Sequence, residues 1–406
     1  MNHPLLPLIL IFSLVPLSPL GIDIYLPSIP EMVEAFQATD NDLKLTISIY
    51  IFALGIGQLV AGPISDRYGR KASALQGLGL YALGSLAVAV APSITLLYAA
   101  RILQGLGAAF TMVTAMAWVR DNYEGEAAGK WLSYMGGMTS VIPTVAPMLG
   151  GLLALVWGWQ SGFVLTGVVA LVLFILAALV LEGPTPVSAQ ADHEEPARLG
   201  SNLKAIATNG QFRIYSLANV FSFAGLLTYI ATAPIVAMKE GTLTEIGFAV
   251  AFGIVGLFQM LMSFLAPRIV SRLGQRETIR AGLTVSVLGG VGLTVSVLGG
   301  VGLLMVPDSV TLAFFALATL GCAGFSVLAG TAISLNLQPF GHCAGLAASI
   351  DGCLRMVGGA TIAAMLGFTG LGSVEALATT LLLALIPLLL VINDIRGREG
   401  MVGEQA

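Results

Sequence analysis

The sequence predicts an all-α polytopic membrane protein: twelve transmembrane helices in two pseudo-symmetric six-helix bundles. Three observations carry that expectation. The 406 residues are 56% hydrophobic and only 10% charged, where a soluble domain carries about a quarter charged residues. Apolar runs of about 18 residues or more recur along almost the whole length, each long enough to cross a hydrocarbon core about 30 Å thick. The few charges gather between these runs. No water-soluble core buries so much apolar surface, so the solvent is lipid. The short alternating strands of an outer-membrane barrel would read differently.

The elements follow in order. The first span covers 5–27; its N-terminus lacks the basic region and small-residue cleavage site of a signal peptide, so it is expected to be retained. Spans at 43–63 and 72–91 flank "GPISDRYGRK" (62–71), and spans at 94–117, 129–153 and 161–181 complete the first half. The polar stretch 182–209, rich in Pro, Gly and mixed charge, reads as a linker between bundles 1–181 and 210–393. The second half runs 210–235, 244–266, 279–304, 310–334, 343–367 and 374–393, with 394–406 as a polar tail.

Lys and Arg set the orientation. With both termini inside, fourteen of the 18 lie in cytoplasmic segments, among them Arg67, Arg70, Lys71, Arg272 and Arg276. Only Lys44 and Lys239 face the other side, and Arg101 and Arg355 fall within spans.

Two repeats differ in kind. "PRIVSRLGQR" (267–276) occupies the same place in the second half as "GPISDRYGRK" in the first: Arg272 matches Arg67 and Gly274 matches Gly69, but Ser271 replaces Asp66. A degenerate six-span repeat marks a transporter whose site lies between two related bundles. "GLTVSVLGGV" instead occurs identically at 282–291 and 292–301. Ten residues turn a helix about 1000°, so the copies face directions about 80° apart. We read it as a local tandem duplication absorbed by tilt, kinking or a protruding end.

Charges inside a bilayer cost about 3 kcal/mol or more at its centre and are functional candidates by default. Asp23 stands in the outer half of the first span and Arg101 in the fourth. Two readings fit them. They share a water-accessible cavity, where the carboxylate binds a proton or cation beside a tuning guanidinium, or they form a static ion pair. Asp351 and Arg355, four residues apart on the eleventh span, face the same way and either neutralise each other or serve substrate or proton. Gln58, Gln104, Asn219 and Gln259 either bond helix to helix or line a cavity. Met112, Met116, Met135 and Met138 offer an adaptable apolar pocket or ordinary packing. Tyr25, Gln58, Gln104, Met116, Met138, Asn219, Gln259, Asp351 and Arg355 form the candidate substrate cavity.

Other chemistries lack their signatures. No phosphate-binding lysine loop predicts ATP hydrolysis and no motif predicts an enzyme. His3, His193 and His342 are scattered, and Cys322, Cys343 and Cys353 lie in apolar runs, so neither metal nor cofactor is expected. The basic residues follow topology, so no nucleic-acid partner is expected. The expected partners are a small-molecule substrate, protons and lipid, with a monomer as the working unit.

"GPISDRYGRK" resembles the loop signature G-x-x-x-D-R-x-G-R-[KR] between spans two and three of the major facilitator superfamily. "RILQGLGAA" (101–109) resembles that superfamily's fourth-span motif, and "APMLGG" (146–151) its fifth-span antiporter motif, with Ala146 for the first glycine. "GIDIYLPSIP" (21–30) and "VRDNYEGEAAGKWLSYM" (119–135) are similar to the Bcr/CflA branch of drug:proton antiporters. The resemblance implies two bundles rocking around a central cavity, with Asp23 and Arg101 coupling protons. It implies a cytoplasmic latch of Gly62, Asp66, Arg67, Gly69, Arg70 and Asp121, with Gly62 allowing close helix approach and both arginines pairing with Asp66 and Asp121. Pro147, Gly150 and Gly151 would form the flexible antiporter stretch. The expected function is proton-coupled efflux of small, largely apolar compounds such as antibiotics across the inner membrane. The alternatives are export of a metabolite, sugar or siderophore on the same fold, or a receptor or scaffold without transport.

Overall fold

The computed structural model describes residues 5–123, 125–181, 196–299 and 307–403. His3, the first half of the expected linker (182–195, with His193) and the last two residues of the second repeat copy, Gly300 and Val301, lie outside the described residues.

The first span is interrupted: α1 (Leu5–Leu14) and α2 (Leu17–Asp23) are followed by a single 3₁₀ turn, Leu26–Ser28, and α3 (Ile29–Ala35). Proline dictates this. Pro27 and Pro30 lack an N–H and restrict the residue before them, so an α-helix does not run through "YLPSIP". α4 (Asp40–Tyr68) opens on a capping box, in which the Thr39 hydroxyl accepts from the Asp42 N–H and the Asp42 carboxylate accepts from the Thr39 N–H. There follow α5 (Arg70–Ala89), α6 (Ile94–Asn122), α7 (Gly125–Trp157) and α8 (Gln160–Val180).

The second half begins with α9 (Pro196–Thr208), a helix inside the stretch expected to be linker. Its Ile206 is buried with Phe212, Phe340, Cys343 and Ala347, an attachment that Pro and charge content conceal. Then come α10 (Gly210–Pro234), extended by a π turn over Ile235–Lys239, and α11 (Glu245–Leu273), α12 (Gln275–Gly299) and α13 (Pro307–Leu337). A 3₁₀ segment, Gln338–Cys343, leads to α14 (Ala344–Gly367), α15 (Ser373–Leu383) and α16 (Leu385–Gly403).

Among the described residues, eleven helical segments are long and apolar enough to cross a membrane; α7 adds the apolar stretch Val141–Trp157 at the place of the expected fifth span. The protein is a multi-pass, all-α membrane protein. It divides into two compact units, one comprising Met1–His193 with Leu243–Gly256, the other Glu194–Thr242 with Leu257–Ala406. Within the first, α5 packs on α6 and α8, and α2 on α7; within the second, α12 packs on α13 and α15, and α10 on α14. Counted in spans, these are the same pairs: third with fourth and sixth, first with fifth.

Candidate functional site

In the first unit the site grows out of the broken first span. At the C-terminal end of α2 the Gly21 carbonyl has no intrahelical donor, and a side chain from α6 replaces it. The fully buried Arg101 donates from Nη1 to the Gly21 carbonyl (2.8 Å) and to Gln104 Oε1 (2.5 Å). Its Nη2 reaches the Tyr25 hydroxyl at 3.3 Å, and its guanidinium carbon lies 4.4 Å from the Tyr50 ring centroid and 4.8 Å from that of Tyr25. Tyr50 donates to Ser18 O (2.8 Å) and Tyr81 to Leu17 O (2.7 Å), while Gln104 Nε2 donates to Ser85 Oγ (2.8 Å).

The fourth-span motif explains how these tyrosines arrive. A Cβ on Gly105 would overlap the Tyr50 carbonyl oxygen, and one on Gly107 the Tyr81 backbone nitrogen. Bare backbone at both positions lets α6 lie against α4 and α5 at Tyr50, whose ring faces Arg101, and at Tyr81, which bonds α2.

Asp23, the last residue of α2, is 2% exposed, and its Oδ1 has no hydrogen-bond partner. Among the described residues no ion pair joins it to Arg101. The expectation of a static Asp23–Arg101 pair is therefore replaced by two separate groups: a cation fixed by carbonyls and aromatic faces, and a carboxyl with an unused oxygen. The fifth-span motif closes over the same place. A Cβ on Gly150 would overlap the carbonyl oxygen of Ile24, the residue after Asp23, whereas one on Gly151 would meet only ordinary contacts, the nearest Pro27 Cβ at 3.6 Å. Pro147 is buried beside Ala146.

The charged loop forms one cluster. Arg70 donates from Nη1 to Asp66 Oδ1 (2.6 Å) and Ser65 Oγ (2.9 Å), and from Nε to Asp121 Oδ2 (2.6 Å). Gly69 turns the chain between α4 and α5 with φ +85°. Two expectations are corrected. Arg67 makes no ion pair among the described residues; it lies over its neighbour Tyr68, 5.4 Å from the centroid, because Arg70 already occupies both carboxylates. Gly62 permits no close approach here, since a Cβ would meet nothing within 4 Å.

In the second unit Asp351 is buried and accepts from Ser216 Oγ (2.7 Å), Asn336 Nδ2 (2.7 Å) and Asn219 Nδ2 (3.4 Å). Among the described residues no ion pair joins it to Arg355. The direct ion pair expected along one helix face is not formed: three neutral donors from α10 and α13 bond the carboxylate, and Asp351 acts on Arg355 through space only. Arg355 turns elsewhere: its guanidinium lies 5.4 Å from the Phe223 centroid, and its Nε is buried without an acceptor.

A family model described as Major Facilitator Superfamily matches residues 11–363. The chain belongs to the Major Facilitator Superfamily. Among curated relatives, Multidrug resistance protein MdtL of Escherichia coli O139:H28 (strain E24377A / ETEC) is 30% identical over 399 residues, covering 98% of each chain. The same protein of Shigella boydii serotype 18 (strain CDC 3083-94 / BS512) matches equally. Among solved structures, a D-xylose-proton symporter superposes with a TM-score of 0.74 at 17% identity, covering 94% of this chain and 96% of that one. A POT family transporter in complex with a thioalcohol-conjugated peptide gives 0.76 at 13% identity, covering 98% and 97%. At those identities the superpositions show the fold.

For this Major Facilitator chain, Tyr25, Arg101 and Gln104 therefore stand in one cluster of the first unit, and Asn219 and Asp351 in one of the second. Gln58 reaches Met112 Sδ at 3.9 Å. Met116 and Met138 are half-buried, and Gln259 is half-buried on α11. Sequence reasoning missed Tyr50, Tyr81, Ser216 and Asn336, whose types are ordinary in apolar helices. It also missed Gly358 and Gly359, which pack α14 on α10 against Val220 and Phe223. Their signal was present: "RMVGGA" (355–360) repeats the double glycine of the fifth span at the eleventh.

Proposed function

We propose that this chain exports small, largely apolar compounds, antibiotics among them, across the bacterial inner membrane in exchange for protons. It works by alternating access as a monomer, with both termini cytoplasmic and without ATP or cofactor. The observation that carries this reading is Asp23, a buried carboxyl with an unpartnered oxygen at a break in the first span. A carboxyl inside a membrane that has no cation beside it is suited to bind and release a proton. The relatives named for multidrug resistance support the cargo class.

A proton entering from the periplasm would neutralise Asp23. Arg101 is held by the Gly21 carbonyl, Gln104 and two tyrosine rings, so it would keep its place through the cycle while the carboxyl changes charge. Asp23→Asn is the direct test. In proteoliposomes with an imposed pH gradient it should abolish gradient-driven efflux; full retention of coupled transport would overturn the assignment.

A further inference from the structure

Arg355 is the twelfth of the 24 residues of α14, the middle of a membrane-crossing helix. It is half-buried rather than enclosed, and so are Phe223 of α10 and Phe325 of α13, whose rings lie 5.8 Å apart. An arginine at that depth costs several kcal/mol unless it has a partner or a task, and such residues face a protein-lined or watered space rather than lipid. Among the described residues no direct ion pair satisfies Arg355. Asp351, one turn earlier on the helix, has its oxygens bonded by Ser216, Asn219 and Asn336. Arg355 is thus a cation spread over the Phe223 ring, with a buried Nε–H that has no acceptor.

Gly358 and Gly359 fix this arrangement. A Cβ at Gly358 would come within 2.8 Å of Val220 Cγ1, and one at Gly359 within 2.8 Å of Phe223 Cδ1. Close packing of α14 on α10 at that turn sets the ring beside the guanidinium. A planar fork of donors beside the Phe223 ring, which itself abuts Phe325, matches a planar acceptor attached to a ring: the fork takes the carboxylate and the phenylalanines take the ring.

We propose that Arg355 with Phe223 and Phe325 forms a subsite in the second unit that binds aromatic carboxylates and selects them over their uncharged counterparts. The proposal names a substrate class for the exporter and rests on that reading for its physiological role, but not for its test, which reads binding without transport. The full chain, purified in detergent, is titrated with 2-naphthoate and with 2-naphthamide, which keeps the ring and removes the charge. Binding is followed by thermal shift and by probe fluorescence.

Wild type should bind the acid at least tenfold more tightly than the amide. Arg355→Gln should bring that ratio close to one. Arg355→Lys, which keeps the charge but not the fork, should fall between, and Phe223→Leu should weaken both probes. Equal binding of acid and amide by wild type, binding of neither, or an unchanged ratio in Arg355→Gln would overturn the subsite. If Arg355→Gln does not fold, an unchanged ratio in Arg355→Lys together with unchanged binding in Phe223→Leu overturns it. Export of neutral compounds with no preference for acids would sink the subsite and leave the efflux reading standing. Carboxylate binding without pH-driven efflux would do the reverse.

Discussion

Two arginines inside the membrane are treated differently by their surroundings. Arg101 is satisfied on every side by carbonyl, amide and aromatic groups of its own unit, so it is part of the structure that holds the first span broken. Replacing it with lysine keeps the charge but loses the fork whose Nη1 reaches Gly21 O and Gln104 while Nη2 reaches the Tyr25 hydroxyl. Arg101→Lys should lower stability by about 1–3 kcal/mol, because a buried carbonyl loses its donor. The midpoint of thermal unfolding in detergent measures this. Arg355, with an unsatisfied Nε, should tolerate lysine with little loss of stability, so the two substitutions separate a structural arginine from one with a task.

At the scale of elements, glycine pairs decide how the helices approach. Gly150 and Gly151 are adjacent and both belong to the fifth-span motif, yet only Gly150 has a backbone atom where its Cβ would be. Gly150→Ala must push α7 away from Ile24 and should cost about 1–3 kcal/mol, as overpacking does. Gly151→Ala should stay within about 0.5 kcal/mol. Because the displaced residue follows Asp23, Gly150→Ala should also impair pH-driven efflux, and comparing the two alanine variants in one efflux assay checks it. Gly62 shows the converse. It sits inside α4 with open space around it, so Gly62→Ala should be neutral or stabilising by up to about 1 kcal/mol from helix propensity.

The duplicated decapeptide shows how the same letters acquire different surroundings. In the first copy Gly282 and Gly289 meet the backbone of α13, and Ser286 donates to Gly321 O at 2.9 Å. In the second copy the equivalent Ser296 donates to Leu293 O of its own helix at 2.8 Å. The rotation of about 80° between copies moves the second serine off the face that meets α13. The element absorbs the insertion as α12, which runs without interruption from Gln275 to Gly299.

Across the whole molecule the two halves repeat one device with different chemistry. Gly69 and Gly274 both turn the chain at positive φ, +85° and +82°. The next residue in each half, the first of α5 or α12, then reaches toward the end of the following helix. Arg70 does so with charge, to Asp121. Gln275 does so without it, donating to Ser334 Oγ (3.4 Å) and accepting from Gln338 Nε2 (2.9 Å). Alanine at Gly69 or Gly274 should cost about 1–2 kcal/mol in either half, since the left-handed backbone is the shared requirement. Only the first-half clasp should respond to salt, being made of exposed ion pairs. Arg70→Gln should therefore weaken the salt dependence of efflux, while Gln275→Ala should leave it in place; transport measured over a range of ionic strength distinguishes them.

Composition and patterning alone determined the solvent, the spans and the family. Lipid forces continuous apolar helices, and "GPISDRYGRK", "RILQGLGAA" and "APMLGG" are local strings whose spacing survives in one dimension. The candidate residues were legible for the same reason, because a charge such as Asp23, Arg101, Asp351 or Arg355 stands out in an apolar run. Their partners were not. Asp351 and Arg355 are correctly spaced for an ion pair on one helix, and only the packing of α10 and α13 supplied Ser216, Asn219 and Asn336 to forestall it. Asp23 and Arg101 looked like a couple until the broken end of α2 offered Arg101 a carbonyl and two rings. Helix periodicity says which face a side chain occupies, but its hydrogen-bond partners come from distant helices, and those meet only in the folded protein.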